Sequence, residues 1–180
     1  MNREHCIYGA DRCVAVSPSD TAPALVALDA SMVIRNSARE RIVAAQDFFI
    51  GPDVDIERMT VLEPGEILTA IRIPSTWVGS TFYFEKVADR NVWDFPLVNI
   101  AAAIKMSGNT IEDIRIACAG VECVPRRLTV VEDVVRGSSR DEETADLAAS
   151  SAARGAIPLN FNHFKIPLLE NLVRRAIRDS

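Results

Sequence analysis

The 180-residue chain has no apolar run long enough to cross a membrane. A membrane-spanning helix needs about 20 consecutive, predominantly apolar residues, and no segment approaches that length. The first residues also lack the apolar core and cleavage site of a signal peptide. We therefore predict a cytoplasmic protein without a membrane span.

Histidine is scarce, with two residues, and the four cysteines form no C-x-x-C pair. A structural zinc site normally needs four converging ligands, so Cys6, Cys13, Cys118 and Cys123 are predicted to be free thiols and no metal site is assigned. His163 stands between apolar positions and is interpreted as a packing residue of a loop. Glycine-rich phosphate loops and the common hydrolase motifs are also missing.

Positive charge is not in excess, which bears on nucleic-acid binding. The chain has 20 basic and 25 acidic residues and a formal net charge of -5 at pH 7. Only residues 35–42 and 173–178 are locally basic, whereas a nucleic-acid-binding protein usually carries a clustered basic face. We predict no nucleic-acid partner.

The first part of the chain carries short strand and helix patterns. Residues 13–16 favour a strand, and the Ser-Pro-Ser-Asp turn that follows favours a helix start, with Ser19 or Asp20 as the N-cap. Residues 32–49 indicate two short apolar runs around a polar turn. Residues 60–74 contain a Pro-Gly turn followed by alternation of Ile67, Thr69, Ile71 and Ile73 with Leu68, Ala70 and Arg72, which predicts a strand. Residues 1–57 have too little apolar area for an independent core.

The second part predicts three strands followed by helices. Strand patterns occupy residues 81–88, 96–106 and 111–122, and the short turn at 107–110 makes the last two an antiparallel pair. Three helical patterns follow, in residues 125–137, from Ser139 with Glu142 at capping-box spacing, and in 167–178. Strands followed by helices indicate an α+β fold with the helices on one sheet face.

Lys86 is the residue that departs most clearly from the structural pattern. It ends the aromatic strand segment "FYFEK" and precedes the charged loop "VADRNVWDF". A long cation in this place can reach a phosphate or a flavin oxygen, or its stem can run along the sheet edge with the charge in water. Arg90 and Asp94 in the loop can pair with each other.

A set of segments in the same order closely resembles the FAD-binding subunit of the molybdenum hydroxylases, the relatives of xanthine dehydrogenase, aldehyde oxidoreductase and carbon monoxide dehydrogenase. The segments are "CVAVSPSDTAPALVALDA", "DFFIGP", "TVLEPGEILTAIRIP", "FYFEKVADRNVWDFPLVNIAAAI", "IRIACAGVECVPRRLTVVEDVVRG" and "AIPLNFNHFKIPLLENLVRRAI". Together they cover nearly the whole chain.

The resemblance implies two domains. Residues 1–75 would be the C-terminal remnant of the FAD-binding domain, from its second subdomain. Residues 78–180 would be a carbon monoxide dehydrogenase flavoprotein-like C-terminal domain, with a three-stranded antiparallel sheet packed by a helical layer. Full-length subunits of the family are longer and begin with glycine-rich loops around the FAD diphosphate, whereas the eight glycines here are isolated. On this resemblance we expect the chain to be the C-terminal part of a truncated subunit.

Three cofactor-binding residues follow from the resemblance position by position. Asp20 matches an aspartate that contacts FAD, Leu68 matches an apolar residue that packs at the cofactor, and Lys86 matches a lysine at the flavin end of the site. Arg90 and Asp94 are weaker candidates from the adjoining loop. No catalytic and no metal-binding residue is assigned.

The implied function is electron transfer in an oxidoreductase. A large subunit with the molybdenum cofactor and a small subunit with [2Fe–2S] clusters are the expected partners, and FAD passes the electrons to an acceptor. The alternative is a non-catalytic subunit-interaction module that lacks stable FAD binding because the glycine-rich loops are absent.

Overall fold

A computed structural model describes residues 2–180 as two antiparallel sheets with helices. The first sheet has the order β2-β1-β3, with β1 at Ser31–Arg35, β2 at Glu40–Ala44 and β3 at Ile67–Arg72. The second has the order β4-β5-β6-β7, with β4 at Thr81–Val87, β5 at Val98–Ser107, β6 at Thr110–Ala119 and β7 at Arg126–Arg127. The helices are α1 Thr21–Ala27, α2 Ala45–Phe48, α3 Thr129–Val135, α4 Glu142–Ala152 and α5 Lys165–Arg178.

The predicted α+β class is confirmed, and the differences from the prediction lie in single elements. The three predicted strands of the second sheet are present, and the two-residue strand β7 extends the sheet beyond β6. The predicted strand at residues 13–16 is wrong. That segment is extended but belongs to no ladder, and Val14 makes a single backbone bond through its carbonyl, from Cys6 N–H at 2.9 Å.

The two faces of the second sheet are covered by different elements. Ile100, Ala102 and Ile104 in β5 belong to the main core, which α3, α4 and α5 close from one side. The alternate positions Ala101 and Ala103 face the other side, because successive side chains of a strand point to opposite faces.

Helix α1 packs against that second face, at β5 and β6. Leu25 and Val26 share a smaller core with Ala117 of β6, and the small alanine side chains let the helix approach the sheet closely. The Arg115 guanidinium donates to the Val26 carbonyl oxygen at 2.9 Å, and this oxygen at the C-terminal end of α1 also accepts the Asp29 N–H at 3.2 Å. The two parts of the chain are therefore joined by a shared core.

Of the residues in β3, Leu68 alone is partly buried. Ile67, Ile71 and Ile73 are exposed, whereas Leu68 lies opposite Ile34 and packs against the smaller core. β3 is an edge strand of the first sheet.

The N-cap of α4 differs from the capping box predicted at Ser139 and Glu142. The side chain of Asp141 accepts the Thr144 backbone N–H at 2.9 Å, so Asp141 is the cap. Ser139 forms an isolated bridge with Thr110 instead.

The first residues of the chain, which we call the N-terminal strap (residues 2–8), cross the second part of the molecule. Ile7 N–H donates to the Val121 carbonyl at 2.9 Å, and the Ile157 N–H donates to the Ile7 carbonyl at 2.8 Å. The Tyr8 hydroxyl donates to the Ala152 carbonyl at 2.9 Å. The strap is thereby hydrogen-bonded to the segment after β6, to α4 and to the segment after α4.

Candidate functional site

In the turn before α1, the structure shows which of Ser19 and Asp20 caps the helix, a choice that the sequence left open. Ser19 Oγ accepts the Ala22 backbone N–H at 3.0 Å and so caps the helix. Asp20 makes no capping bond with its side chain. Its carboxylate therefore remains available for contacts outside the helix.

Lys86 makes the first of those contacts. Its Nζ donates to Asp20 Oδ2 at 2.6 Å and to the Asp94 carbonyl oxygen at 2.6 Å. The side chains of Lys86 and Asp20 are 26% and 47% exposed, and ion pairs with this exposure contribute little to stability. A ligand can therefore replace this pair at small cost.

Asn99 makes the second contact, and the sequence reasoning missed it. It lies opposite Lys86 in the β4–β5 register and is fully buried. Its Nδ2 donates to Asp20 Oδ1 at 3.1 Å. The signal that could have revealed it is a polar residue inside the apolar strand segment "LVNIAAAI".

The loop after β4 forms a cleft beside Lys86. The cleft has a volume of about 400 Å³ and is lined by Lys86 and residues 87–88 and 90–94. Trp93 adopts a left-handed backbone conformation with φ 56° and exposes 95% of its surface. Such a conformation is uncommon for a bulky residue.

Arg90 and Asp94 pair with each other, as the sequence suggested, and hold this loop together. Asp94 Oδ2 accepts the Arg90 backbone N–H at 2.9 Å, and an Arg90 Nη donates to the Trp93 carbonyl at 2.7 Å. The hydrogen bond from the Arg90 N–H is the main cause that holds the pKa of the Asp94 carboxyl below its usual range. The loop is therefore fixed by its own polar contacts.

Leu68 lies apart from this cluster of polar residues. It packs against the smaller core, to which α1 contributes Leu25 and Val26. The structure thus brings Asp20 and Lys86 into direct contact and relates Leu68 to them through α1.

An apolar groove runs along β4 on the same sheet face. It measures about 390 Å³ and is lined by residues that include Ala24, Leu28, Ile73, Phe82 and Phe84. Phe82 and Phe84 are about half exposed. Because Phe82, Phe84 and Lys86 alternate along β4, the groove and the polar cluster share one face.

The remaining titratable candidates lie elsewhere. His163 is exposed, so its interpretation as a packing residue is wrong. All four cysteines are free, and burial raises the pKa of Cys118 and Cys123 to about 12. Within residues 2–180 no group of three or more His, Cys, Asp or Glu side chains could hold a metal ion, and no helix there could span a bilayer.

Comparison with known proteins finds a matching family model for each of the two parts of the chain. Residues 8–76 match the family model described as "FAD binding domain in molybdopterin dehydrogenase", and residues 83–180 match "CO dehydrogenase flavoprotein C-terminal domain". This chain belongs to the FAD-binding medium subunits of the molybdenum hydroxylases. The predicted family is thereby confirmed, while the domain boundaries of 1–75 and 78–180 stay a prediction.

Two relatives illustrate the similarity to other medium subunits. The chain is 35% identical over 137 residues to the glyceraldehyde dehydrogenase medium chain of Sulfolobus acidocaldarius, covering 76% of this chain and 46% of that protein. It is 30% identical over 162 residues to the aldehyde oxidoreductase FAD-binding subunit PaoB of Escherichia coli, covering 88% and 49%. The chain spans about half the length of the curated relatives it matches.

Solved medium-subunit structures share the fold. A carbon monoxide dehydrogenase from Hydrogenophaga pseudoflava superposes with a TM-score of 0.79 at 26% identity, over 89% of this chain and 55% of that one. Quinoline 2-oxidoreductase from Pseudomonas putida 86 superposes with a TM-score of 0.75 at 28% identity, over 90% and 55%. Both have the mixed helices and antiparallel sheets described above.

Proposed function

We propose that this medium-subunit chain contributes Asp20, Leu68 and Lys86 to an FAD site and serves in electron transfer within an oxidoreductase. The observation that carries the proposal is the contact of Lys86 Nζ with Asp20 beside an open cleft. These two residues are 66 positions apart in sequence, and the fold of a flavoprotein family brings them together.

The residues present fit part of an FAD molecule. Lys86 supplies a cation for a phosphate or a ring carbonyl oxygen, and Asp20 supplies an acceptor for a hydroxyl group. Leu68, at the edge of the smaller core, supplies an apolar contact. The eight glycines are isolated along the 180 residues, so this chain offers no glycine-rich loop for the diphosphate.

Bound FAD would supply the capacity to accept and pass on electrons. The protein's own contribution is then to bind and orient. Lys86 would exchange its exposed contact with Asp20 for one with the ligand, and Asp20 would be free to accept a ligand hydroxyl. The loop of residues 88–95, fixed by Arg90 and Asp94, would limit access of water to this end of the cleft.

The partners belong to the same proposal. The similar proteins are medium chains of dehydrogenases and hydroxylases, which supports a large molybdenum-cofactor subunit and a small [2Fe–2S] subunit as partners. Electrons would pass from the iron–sulfur clusters through FAD to an acceptor, and we place the assembly in the cytoplasm.

The test is FAD binding by the purified 180-residue chain and two lysine variants. We expect the visible absorption of an oxidised flavin to saturate on titration with FAD. Lys86→Met should weaken binding by about 10- to 100-fold, because a hydrogen bond from a charged group contributes about 1.5–3 kcal/mol. Lys105→Met is the matched control, since Lys105 lies in β5 with its ammonium over Trp77. Equal binding by both variants would contradict the assignment of Lys86.

A second candidate is a subunit-interaction module without stable FAD binding. The exposed apolar groove along β4 favours it, because contiguous apolar surface often marks a protein contact. The isolated glycines favour it as well. Wild-type protein that remains colourless at saturating FAD would support this candidate over the first.

A further inference from the structure

Asn99 is a fully buried polar side chain in an otherwise apolar part of β5. Its neighbours Val98, Ile100, Ala101 and Ala102 are all buried hydrophobic residues. Burying an amide group without hydrogen bonds costs several kcal/mol, so such a residue is expected to have specific partners.

Every partner of the Asn99 amide is accounted for. The side-chain oxygen Oδ1 accepts the Ala119 backbone N–H at 3.0 Å. The amide Nδ2 donates to the Ser19 carbonyl oxygen at 3.1 Å and to Asp20 Oδ1 at 3.1 Å. One buried side chain therefore fastens the Ser19–Asp20 turn to the end of β6.

The two oxygens of the Asp20 carboxylate are consequently held by two different residues. Oδ1 is held from within the protein by Asn99, and Oδ2 is held at the surface by Lys86. The surface contact can be exchanged for a ligand, whereas the Asn99 contact comes from a fully buried side chain.

We propose that Asn99 is a positioning residue of the cofactor site, which keeps the Asp20 carboxylate in place when Lys86 turns to an anionic, hydroxyl-bearing ligand. This inference rests on the proposed FAD site. Without Asn99, the Asp20 side chain would lose its fixed orientation as soon as Lys86 left it. Preorganised polar groups of this kind bind ligands more tightly, because less order has to be created on binding.

The substitution Asn99→Asp tests the contact with almost no change in volume. It keeps an acceptor for Ala119 N–H but places a second carboxyl group against Asp20. Two carboxylates at hydrogen-bond distance repel each other, whereas a protonated one donates to the other. Lys86 is the charged side chain that contacts Asp20 in this structure. We expect FAD affinity to fall at least about tenfold at pH 7.5 and to recover as the pH is lowered towards 5.

Asn162→Asp is the matched control. Asn162 is also fully buried, and its amide likewise donates to two oxygens, the His5 and Cys6 carbonyls, while its oxygen accepts the Leu159 N–H. No ionised side chain takes part, so this variant should lose stability without a pH-dependent loss of FAD affinity. If the two variants bind FAD alike at both pH values, or if the loss in Asn99→Asp is independent of pH, the proposal is overturned.

Two further measurements separate this proposal from the FAD site itself. The NMR signal of the Asp20 carboxyl carbon at fixed pH needs no cofactor, and its chemical shift should change in Asn99→Asp but not in Asn162→Asp; an unchanged signal in Asn99→Asp would refute the positioning contact even if wild-type protein binds FAD. The double variant Asn99→Asp/Asp20→Asn restores an amide–carboxylate pair with unchanged net charge. It should regain thermal stability relative to Asn99→Asp but not FAD affinity. Failure to regain stability would count against the direct contact.

Discussion

Lys165 is a buried cation whose charge should make the stability of the protein depend on pH. Its side chain is fully buried, and its Nζ donates to the Glu4 carbonyl at 2.9 Å and to the Gly120 carbonyl at 2.6 Å. Both contacts are to backbone oxygens. Burial disfavours the charged form and lowers the pKa of Lys165 from 10.5 to about 8.

The direction of the pH effect follows from proton binding in the two states. Between pH 8 and 10.5 the unfolded chain keeps the proton on this lysine, whereas the folded protein has lost it. The free energy of unfolding therefore rises with pH in this window and is lowest, with respect to this group, below pH 8. A pKa difference of this size corresponds to at most about 3.4 kcal/mol across the window, at 1.36 kcal/mol for each pH unit.

The assay compares wild type with Lys165→Met by urea unfolding, followed by circular dichroism, from pH 7 to 10.5 under reducing conditions. The comparison is necessary because Cys118 and Cys123, with pKa values raised to about 12, act in the opposite direction in both proteins. We expect the stability difference to move in favour of wild type by about 2–3 kcal/mol as the pH rises. The stability difference between wild type and Lys105→Met, measured in the same way, should show no such trend with pH. A difference that is flat, or that moves towards the variant, would refute the reasoning.

Four further substitutions test local features of the structure. The bidentate hydrogen bond from Arg41 lowers the pKa of Glu66 to about 2. Wild type should therefore lose its stability advantage over Glu66→Gln as the pH falls from 4.5 towards 2. If urea unfolding gives the same advantage at pH 7 and at pH 3, the prediction is contradicted. Gly120→Ala would place a Cβ 2.6 Å from a backbone oxygen at φ +80°, and should cost at least about 2 kcal/mol. Gly108→Ala, with φ +60° and open space, should cost clearly less in the same thermal unfolding assay. Ser19→Ala should lower the free energy of unfolding by about 1 kcal/mol, because it removes the cap of α1. A loss of less than a few tenths of a kcal/mol would speak against that role.

The elements and their class were predictable where hydrophobic periodicity is strong. Two segments show this. The apolar residues alternate in the segment that forms β5 and recur at helical spacing in the segment that forms α5, since one face of each is buried in the same core. β3 shows the limit of this approach. Its isoleucines form a regular apolar face, but the structure leaves them exposed, and Leu68 packs against the smaller core instead.

The contacts of the site could be predicted only in part. The family resemblance indicated Asp20 and Lys86, yet neither pattern nor spacing indicates that they touch. Asn99 was missed because its partner Asp20 is 79 positions away, and such contacts arise only when α1 docks on the sheet. The choice of Ser19 as cap was likewise decided by that packing, which leaves the Asp20 carboxylate to Lys86 and Asn99.

The N-terminal strap has a consequence for how the chain can be divided. Because residues 2–8 are bonded to the segment after β6, to α4 and to α5, a segment that ends where the first family region starts packs with the second one. A protease cut in the connection between β3 and β4 would leave two pieces that still hold each other through the strap and through α1. The two pieces, produced as separate polypeptides, are thus suited to reassemble by fragment complementation, and neither would be a self-sufficient folding unit.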